Sequence, residues 1–389
     1  MTDTFEIHKK NTGKLEIVPT VQVNTREDLS NIYTPNVGKI CMAIKDNPDA
    51  VREYTIAGKM VAVISDGTAV LGFGNIGARA ALPVMEGKCV IFKEFAGLNA
   101  FPICLDTQDT EEIIQIVKAL SVNFAAINLE DISAPRCFEI EKRLSDELPI
   151  PIIHDDQHGT AIVTLAALMG AVKVIKDGIA ASSSTPRNDG FRIVIAGAGA
   201  AGNAITRLIK ASELPVSDIK LFDSKGLVST DRTDLDKYKM EMAELTSQSK
   251  TMSIQEGLIG ADIFVGVSAP NSLTEEMVKS MNKDPIVFAM ANPTPEIMPD
   301  KAKAAGAIIV ATGRSDFNNQ INNALAYPGV FKGLLAARIT KATIDIKLAT
   351  AKAIYEYNLP SLTADNLLPS ILDKKVPEMI AATIVASVK

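Results

Sequence analysis

The sequence has only four cysteines, no CxxC pair, no internal repeat, no long block of one charge sign and no long apolar run. Each absence narrows the field. Cys41, Cys89, Cys104 and Cys137 form no dense framework. In a chain of 389 residues they read as reduced thiols of a cytoplasmic protein, buried as filler rather than acting as nucleophiles. Forty Lys and Arg stand against 46 Asp and Glu, a net charge of −6. That balance argues against nucleic acid or an anionic membrane as the main partner, and leaves room for an anionic metabolite in a locally positive cleft. The longest apolar stretch, Ile162 to Val172, is shorter than the roughly 18 residues of a membrane span. The opening MTDTFEIHKKNTGK has no apolar region of a secretory signal.

What is present is globular: 47% hydrophobic and 22% charged residues, enough chain for two or three domains of about 150 residues. Up to about residue 155, Met60–Ser65, Cys89–Phe92, Phe124–Leu129 and Ile150–His154 read as short buried strands. A helix announced by Ser133 and Pro135 runs through Phe138, Ile140 and Leu144, and Gly159 to Lys176 is a long apolar helix. The tract Ser182 to Gly190 has the composition of a linker or exposed loop. A second series follows, with strands over Phe191–Ala196, Ile219–Phe222, Ile263–Val267, Ile286–Met290 and Ala307–Val310. From about Val330 the chain is helix-rich. Alternating strands and helices imply an α/β fold with parallel sheets in two domains.

The clearest chemical signal is Gly197-Ala198-Gly199-Ala200-Ala201-Gly202, a GxGxxG directly after one strand and opening a helix. Such glycines let the backbone turn tightly and approach a pyrophosphate seated on the helix N-terminus. Asp223 ends the next strand, where a carboxylate would hold a ribose diol. A second match, Gly72 to Gly77, precedes a segment that Pro83 would break or kink, and reads as a glycine-rich active-site loop. Two acidic doublets, Glu130-Asp131 and Asp155-Asp156, end two of the strands. Converging carboxylates repel unless a cation neutralises them, and all-oxygen ligation suits Mg²⁺ or Mn²⁺. The alternative is that each doublet caps the helix after it. His154 and His158 are spaced i, i+4, but a strand end and Gly159 intervene, so each reads as a satisfied or solvent-facing histidine rather than a zinc ligand. Lys88, at a loop-to-strand step, is either a solvated lysine or a base with its proton loosened near a cation. Tyr33 begins as a packed tyrosine before a proline turn.

In order, these segments resemble the malic enzyme family in its short bacterial form, over nearly the whole chain. The motifs are YTP (Tyr33–Pro35), SDGTAVLGFGNIG (Ser65–Gly77), PVMEGK (Pro83–Lys88), FKEFAG (Phe92–Gly97), NLED (Asn128–Asp131) and HDDQHGT (His154–Thr160). GAGAAG, ANPTPE (Ala291–Glu296) and NNALAYPGVFKG (Asn322–Gly333) complete them. The resemblance implies an N-terminal catalytic domain over 1–158, a Rossmann-type NAD(P)-binding domain over 159–325 and a helical segment over 326–389 packing back on both. It implies Lys88 as general base, Tyr33 as general acid, and Glu130, Asp131 and Asp156 as metal ligands with Asp155 beside them. Asn292 and one of Asn322 and Asn323, taken as Asn323, would contact the substrate or the nicotinamide.

The implied reaction is oxidation of (S)-malate to oxaloacetate and its decarboxylation to pyruvate, by a homodimer. Two places depart from the family pattern. Ala69 stands where larger members carry a carboxylate-binding arginine, and Asn36 follows Tyr33-Thr34-Pro35 where glycine is usual. Asp223 favours NAD, while Lys225 offers a partner for a 2′-phosphate. The rival readings are a soluble oxaloacetate decarboxylase on the same scaffold and a dinucleotide sensor without turnover.

Overall fold

The computed structural model describes residues 3–178 and 190–387. Four short helices come first: α1 (Thr4–Asn11), α2 (Arg26–Ile32), α3 (Val37–Asp46) and α4 (Val51–Tyr54). None of them buries a residue. Next come β1 (Met60–Ser65), α5 (Ala78–Ala96), β2 (Asn99–Cys104), α6 (Thr110–Leu120), β3 (Ala126–Leu129), α7 (Arg136–Glu147) and β4 (Ile152–His154). Their strands form a parallel four-stranded sheet in the order β2-β1-β3-β4. Helix α8 (Asp155–Lys176) starts directly after β4.

The second sheet is built from β5 (Phe191–Ala196), α9 (Ala200–Ala211), β6 (Val216–Asp223), β7 (Gly226–Leu227), α10 (Lys237–Leu245), α11 (Ile254–Leu258) and β8 (Ile263–Gly266). It continues with α12 (Glu275–Ser280), β9 (Ile286–Ala289), α13 (Pro299–Ala304) and β10 (Ile309–Thr312). Its six strands run in the order β10-β9-β8-β5-β6-β7, parallel except for the short β7. The winding reverses between β5 and β8, where a doubly wound sheet opens its ligand crevice. Three helices close the chain: α14 (Tyr327–Ala337), α15 (Ile344–Asn358) and α16 (Lys375–Ala386). On α14, a Cβ at Gly329 or Gly333 would lie 2.8 Å from Ile380 or Ile384, so these glycines let α14 press against α16. One apolar core joins Val61, Met85 and Phe92 to Ile193, Leu325 and Phe331, tying both sheets to the closing helices.

The α/β class with parallel sheets is what the structure has, but several local expectations are corrected. Cys89–Phe92 is no strand: it lies in α5, which runs through Pro83 unbroken, so Lys88 stands mid-helix rather than at a strand. Buried Ala78, Ala81, Met85, Cys89, Phe92 and Ala96 repeat at three- and four-residue steps, a helical stripe that outweighs the local β-like run. The strand in that region is β2, at the sheet edge, where Pro102 leaves no ladder bond missing from the interior. Helix α8 begins at Asp155, not Gly159, and is long and apolar enough to cross a membrane. However, 78% of its apolar window is buried inside the fold, between α9 and α15, which makes it a core helix. The tract Ser182 to Gly190 lies outside the described residues except for Gly190.

Candidate active site

Strands β1, β3 and β4 end side by side, and the parallel register brings Leu129 opposite Ile64 and His154. The residues that follow are therefore neighbours: Glu130-Asp131 after β3 and Asp155-Asp156 after β4. Lys88 reaches them from α5. Its Nζ lies 2.9 Å from Glu130 Oε1 and 2.6 Å from Asp155 Oδ2. The ring of Tyr327 sits under the ammonium at 4.7 Å, and its hydroxyl donates to the Lys88 carbonyl at 3.4 Å. A cation over an aromatic face is attracted by the ring quadrupole. Glu130 Oε2 accepts from Asn128 at 2.9 Å, and Asp156 Oδ2 accepts from the Asp131 backbone N–H at 2.8 Å. Asp131 holds a left-handed backbone (φ 54°), an uncommon state for a non-glycine residue.

Neither doublet caps a helix. The N-cap of α8 is His154, whose side chain makes no capping bond, and Glu130-Asp131 lead into a loop before α7. One oxygen each from Glu130, Asp131 and Asp156 lies within 4.8 Å of the others, and Asp131 Oδ2 is buried with no hydrogen-bond partner. Burial and the neighbouring Asp156 charge push Glu130 up to about 7 and Asp131 up to about 9. Asp155 is pushed up to about 7 by burial, against the pull of Lys88. Burial alone would lower Lys88, but Asp155 and Glu130 outweigh it and hold the ammonium well above its usual range. Carboxylates this reluctant to ionise together, with an orphaned oxygen among them, fit a hard divalent cation.

The glycine-rich loop after β1 folds over this edge. The Ala69 N–H donates to the Asp131 carbonyl at 2.9 Å, and a Cβ on Gly72 would lie 1.9 Å from the Asn292 carbonyl oxygen. It is thus a loop between the two sheets: a 3-10 turn, Leu71–Phe73, separates the end of β1 from Gly74, and only the last of its glycines, Gly77, stands at the N-cap of α5. In that second loop each glycine has its own reason. Gly197 (φ 111°) and Gly202 leave no room for a Cβ, which would meet Val267 O at 2.3 Å and Gly197 O at 1.8 Å. Nothing lies within 4 Å of a Cβ at Gly199, the open side. Gly199 N-caps α9 with no side-chain bond, leaving N–H groups free for a pyrophosphate. Ala200 packs against the core cluster that contains Ile132, next to Asp131. Asn323 approaches from the far side: a Cβ on Gly159 would lie 1.9 Å from Asp155 Oδ1 and 3.0 Å from Asn323 Cβ. Asn322 Oδ1 accepts from the Ala324 N–H at 2.9 Å, whereas the Asn323 Cβ is the one that packs toward Gly159 on α8.

The structure does not join Tyr33 to this cluster within the chain. Tyr33 follows α2, is 67% exposed, and its hydroxyl bonds to no described residue. Nor is Asp223 free: it pairs with Arg232 and Lys239, which lower it to about 2 against its partial burial. His158 is satisfied by Glu141 at 2.9 Å, whereas His154 is fully buried, 3.9 Å from Asp156, not at the surface. The four thiols are free, and burial pushes Cys89 up to about 12 and Cys104 up to about 11. Sequence reasoning missed Tyr327 and Glu141. Tyr327 lies inside a quoted motif, where its aromatic ring was the available signal. Glu141 accepts from the His154 backbone N–H, Gln157 and His158 and so fixes the β4–α8 turn. On the charged face of α7 it carries no local signal.

A Rossmann-type loop facing a lysine–carboxylate cluster on a second parallel sheet defines the class: a two-domain, dinucleotide-dependent oxidoreductase. Residues 12–145 match the family model described as malic enzyme, N-terminal domain, and residues 157–388 that of malic enzyme, NAD binding domain. The bifunctional malic/malolactic enzyme of Bacillus subtilis is 48% identical over 98% of this chain and 91% of its own length. The NAD-dependent malic enzyme of Geobacillus stearothermophilus is 49% identical over 96% of this chain and 76% of its own. The crystal structure of NAD-dependent malic enzyme from Thermotoga maritima superposes with a TM-score of 0.91 at 41% identity, over 99% of both chains. The chain belongs to the malic enzyme family.

Proposed function

We propose that this chain oxidatively decarboxylates (S)-malate to pyruvate and CO₂ with NAD or NADP, at the site formed by Lys88 and the four carboxyl groups. The observation that carries the reading is the Lys88 ammonium set between Glu130 and Asp155 beside three converging carboxylate oxygens. Glu130, Asp131 and Asp156 would hold Mg²⁺ or Mn²⁺, which when bound supplies Lewis-acid polarisation of a substrate oxygen and a sink for the charge released with CO₂. A dinucleotide on the Gly197–Gly202 loop supplies the hydride acceptor. Lys88 takes the C2 hydroxyl proton, Asp155 orients it, and Tyr327 supports it from below. Asn292 and Asn323 orient substrate or nicotinamide. After C4 leaves, Tyr33 returns a proton to C3.

Tyr33 reaches such a substrate from a homodimer. Leu29, Ile32, Met42 and Tyr54 are exposed on α2, α3 and α4, helices that bury nothing in their own chain. An apolar face of this kind marks an association surface, and a two-fold pair would cover it on both copies. We infer that the second copy lends Tyr33 to its neighbour's Lys88 site. A cytoplasmic, soluble setting agrees with the free thiols and the buried α8. Replacing Asp156 with Asn tests the site: cation affinity, malate oxidation and oxaloacetate decarboxylation should all fall together. A variant that kept its cation affinity and both rates would refute the assignment.

A further inference from the structure

Beyond the ends of β8 and β9 lies a buried carboxylate that the proposed chemistry does not use. Glu296 has no exposed surface. Its Oε1 accepts from the Ser268 backbone N–H at 2.8 Å and from the Ser268 hydroxyl at 3.2 Å, and its Oε2 accepts from the Ala291 N–H at 3.0 Å. A Cβ on Gly266, the last residue of β8, would lie 2.4 Å from Glu296 Cδ, so the strand gives up a side chain to make room. The main chain adds two bonds, from the Leu273 N–H to the Glu296 carbonyl at 3.0 Å and from the Asn271 N–H to the Pro295 carbonyl at 3.1 Å. Burial pushes the carboxyl up, against the pull of the Ser268 and Ala291 N–H groups. Taking such a group out of water is costly, and charge-assisted hydrogen bonds offset the cost. Here those bonds join the loop after β8 to the loop after β9, on the sheet edge where ligands bind.

Ala291 directly precedes Asn292, and Asn292 has little room of its own. A Cβ on Gly72 would lie 1.9 Å from its carbonyl oxygen, and a Cβ on Gly313, which follows β10, would lie 2.6 Å from its Nδ2. The next carbonyl, that of Pro293, accepts from Arg314 Nη1 at 3.1 Å. Asn292 is therefore wedged between the glycine-rich loop of the first sheet and the end of β10, with Glu296 fixing the N–H just before it. The Gly72 loop in turn bonds to the Asp131 carbonyl through the Ala69 N–H. One line of contacts runs from Glu296 through Asn292 to the loop over the lysine–carboxylate cluster.

We propose that Glu296 is a positioning residue: by holding the Ser268 and Ala291 N–H groups on one carboxylate, it sets Asn292 where substrate and nicotinamide meet. It acts through Asn292 and leaves alone the adenosine end of the dinucleotide, which the Gly197–Gly202 loop receives. The proposal rests on the role given above to Asn292.

The test compares Glu296→Gln with the unaltered chain. Glutamine keeps the length of the side chain, but its amide nitrogen must face one of the two N–H groups, donor against donor. The kcat of malate oxidation should fall about 10- to 100-fold, the scale of a small misplacement of reacting groups. The affinity for ADP-ribose, which probes the glycine loop without a nicotinamide and is read by calorimetry, should be unchanged. A role confined to stability would lower the unfolding midpoint and leave the kcat of the folded variant as it was, and that result overturns the proposal. So does a loss of ADP-ribose affinity as large as the loss in kcat. Ser268→Ala, at an exposed position, removes one bond to the carboxylate and should lower kcat by a smaller factor. If Glu296→Gln does not fold, an unchanged kcat in Ser268→Ala overturns the proposal. If the unaltered chain oxidises no malate with NAD or NADP, the functional reading itself is wrong and the proposal falls with it.

Discussion

At the scale of single residues, the chemistry turns on one ammonium held among groups that do not ionise easily together. Burial raises Glu130 and Asp155 to about 7, yet both lie within 3 Å of Lys88 Nζ and keep it protonated while no other positive charge relieves them. Lys88→Ala should reduce turnover by about 10²–10⁴, the usual worth of a general base. Dinucleotide affinity, measured by titration, should be retained, because the glycine loop is carried by other elements. Near-normal turnover in this variant would remove Lys88 from the mechanism. The residue types of this site were readable: two acidic doublets, a glycine loop and a lysine in a recognisable string. Their pairings were not. Asp155 as the Lys88 partner and Tyr327 beneath it depend on contacts 67 and 239 residues apart in sequence.

At the scale of elements, what the sequence hid follows from window length. Cys89 to Phe92 looks like a buried strand over four residues, and only the whole of Ala78–Ala96 shows the helical stripe that places Lys88. Glycines were more legible, since the GAGAAG turn requires them at Gly197 and Gly202 for contacts that follow from its strand–helix setting. The β4–α8 turn, which delivers Asp155 and Asp156, is fixed from α7 by Glu141. Burial alone would raise Glu141, but His158 and Lys347 outweigh it and lower it to about 2, below its ordinary 4.5. A carboxyl depressed in the folded state stabilises above its unfolded pKa and loses that contribution as pH falls through the folded value. Stability should therefore drop between about pH 4.5 and 2. Glu141→Gln should cost about 3 kcal/mol near neutral pH, where it leaves the Lys347 ammonium without its counter-charge, and should flatten that acid limb. Denaturant unfolding as a function of pH checks both. An unchanged acid limb in the variant would show that other carboxyls govern it.

At the scale of the whole molecule, the fold brings a Rossmann-type sheet against a smaller parallel sheet, and α8 with the closing helices welds the two through one apolar core. That architecture was legible from alternation alone. The fate of the first 56 residues was not, because exposed apolar side chains have meaning only once burial is known. Mixing Tyr33→Phe and Lys88→Ala subunits tests the shared site. If Tyr33 serves its neighbour, half of the re-formed dimers are mixed and each has one complete site, so about a quarter of the activity should return. Sites complete within one chain would give no recovery. The central claim, that the lysine–carboxylate cluster oxidises and decarboxylates malate with a divalent cation, is tested most directly by one assay. Purified chain is given (S)-malate and NAD or NADP, with Mn²⁺ or after stripping with EDTA, and reduced nicotinamide and CO₂ are followed together. The account predicts equal amounts of both products with Mn²⁺ and neither after stripping. Reduction without CO₂, or undiminished turnover in EDTA, would contradict it.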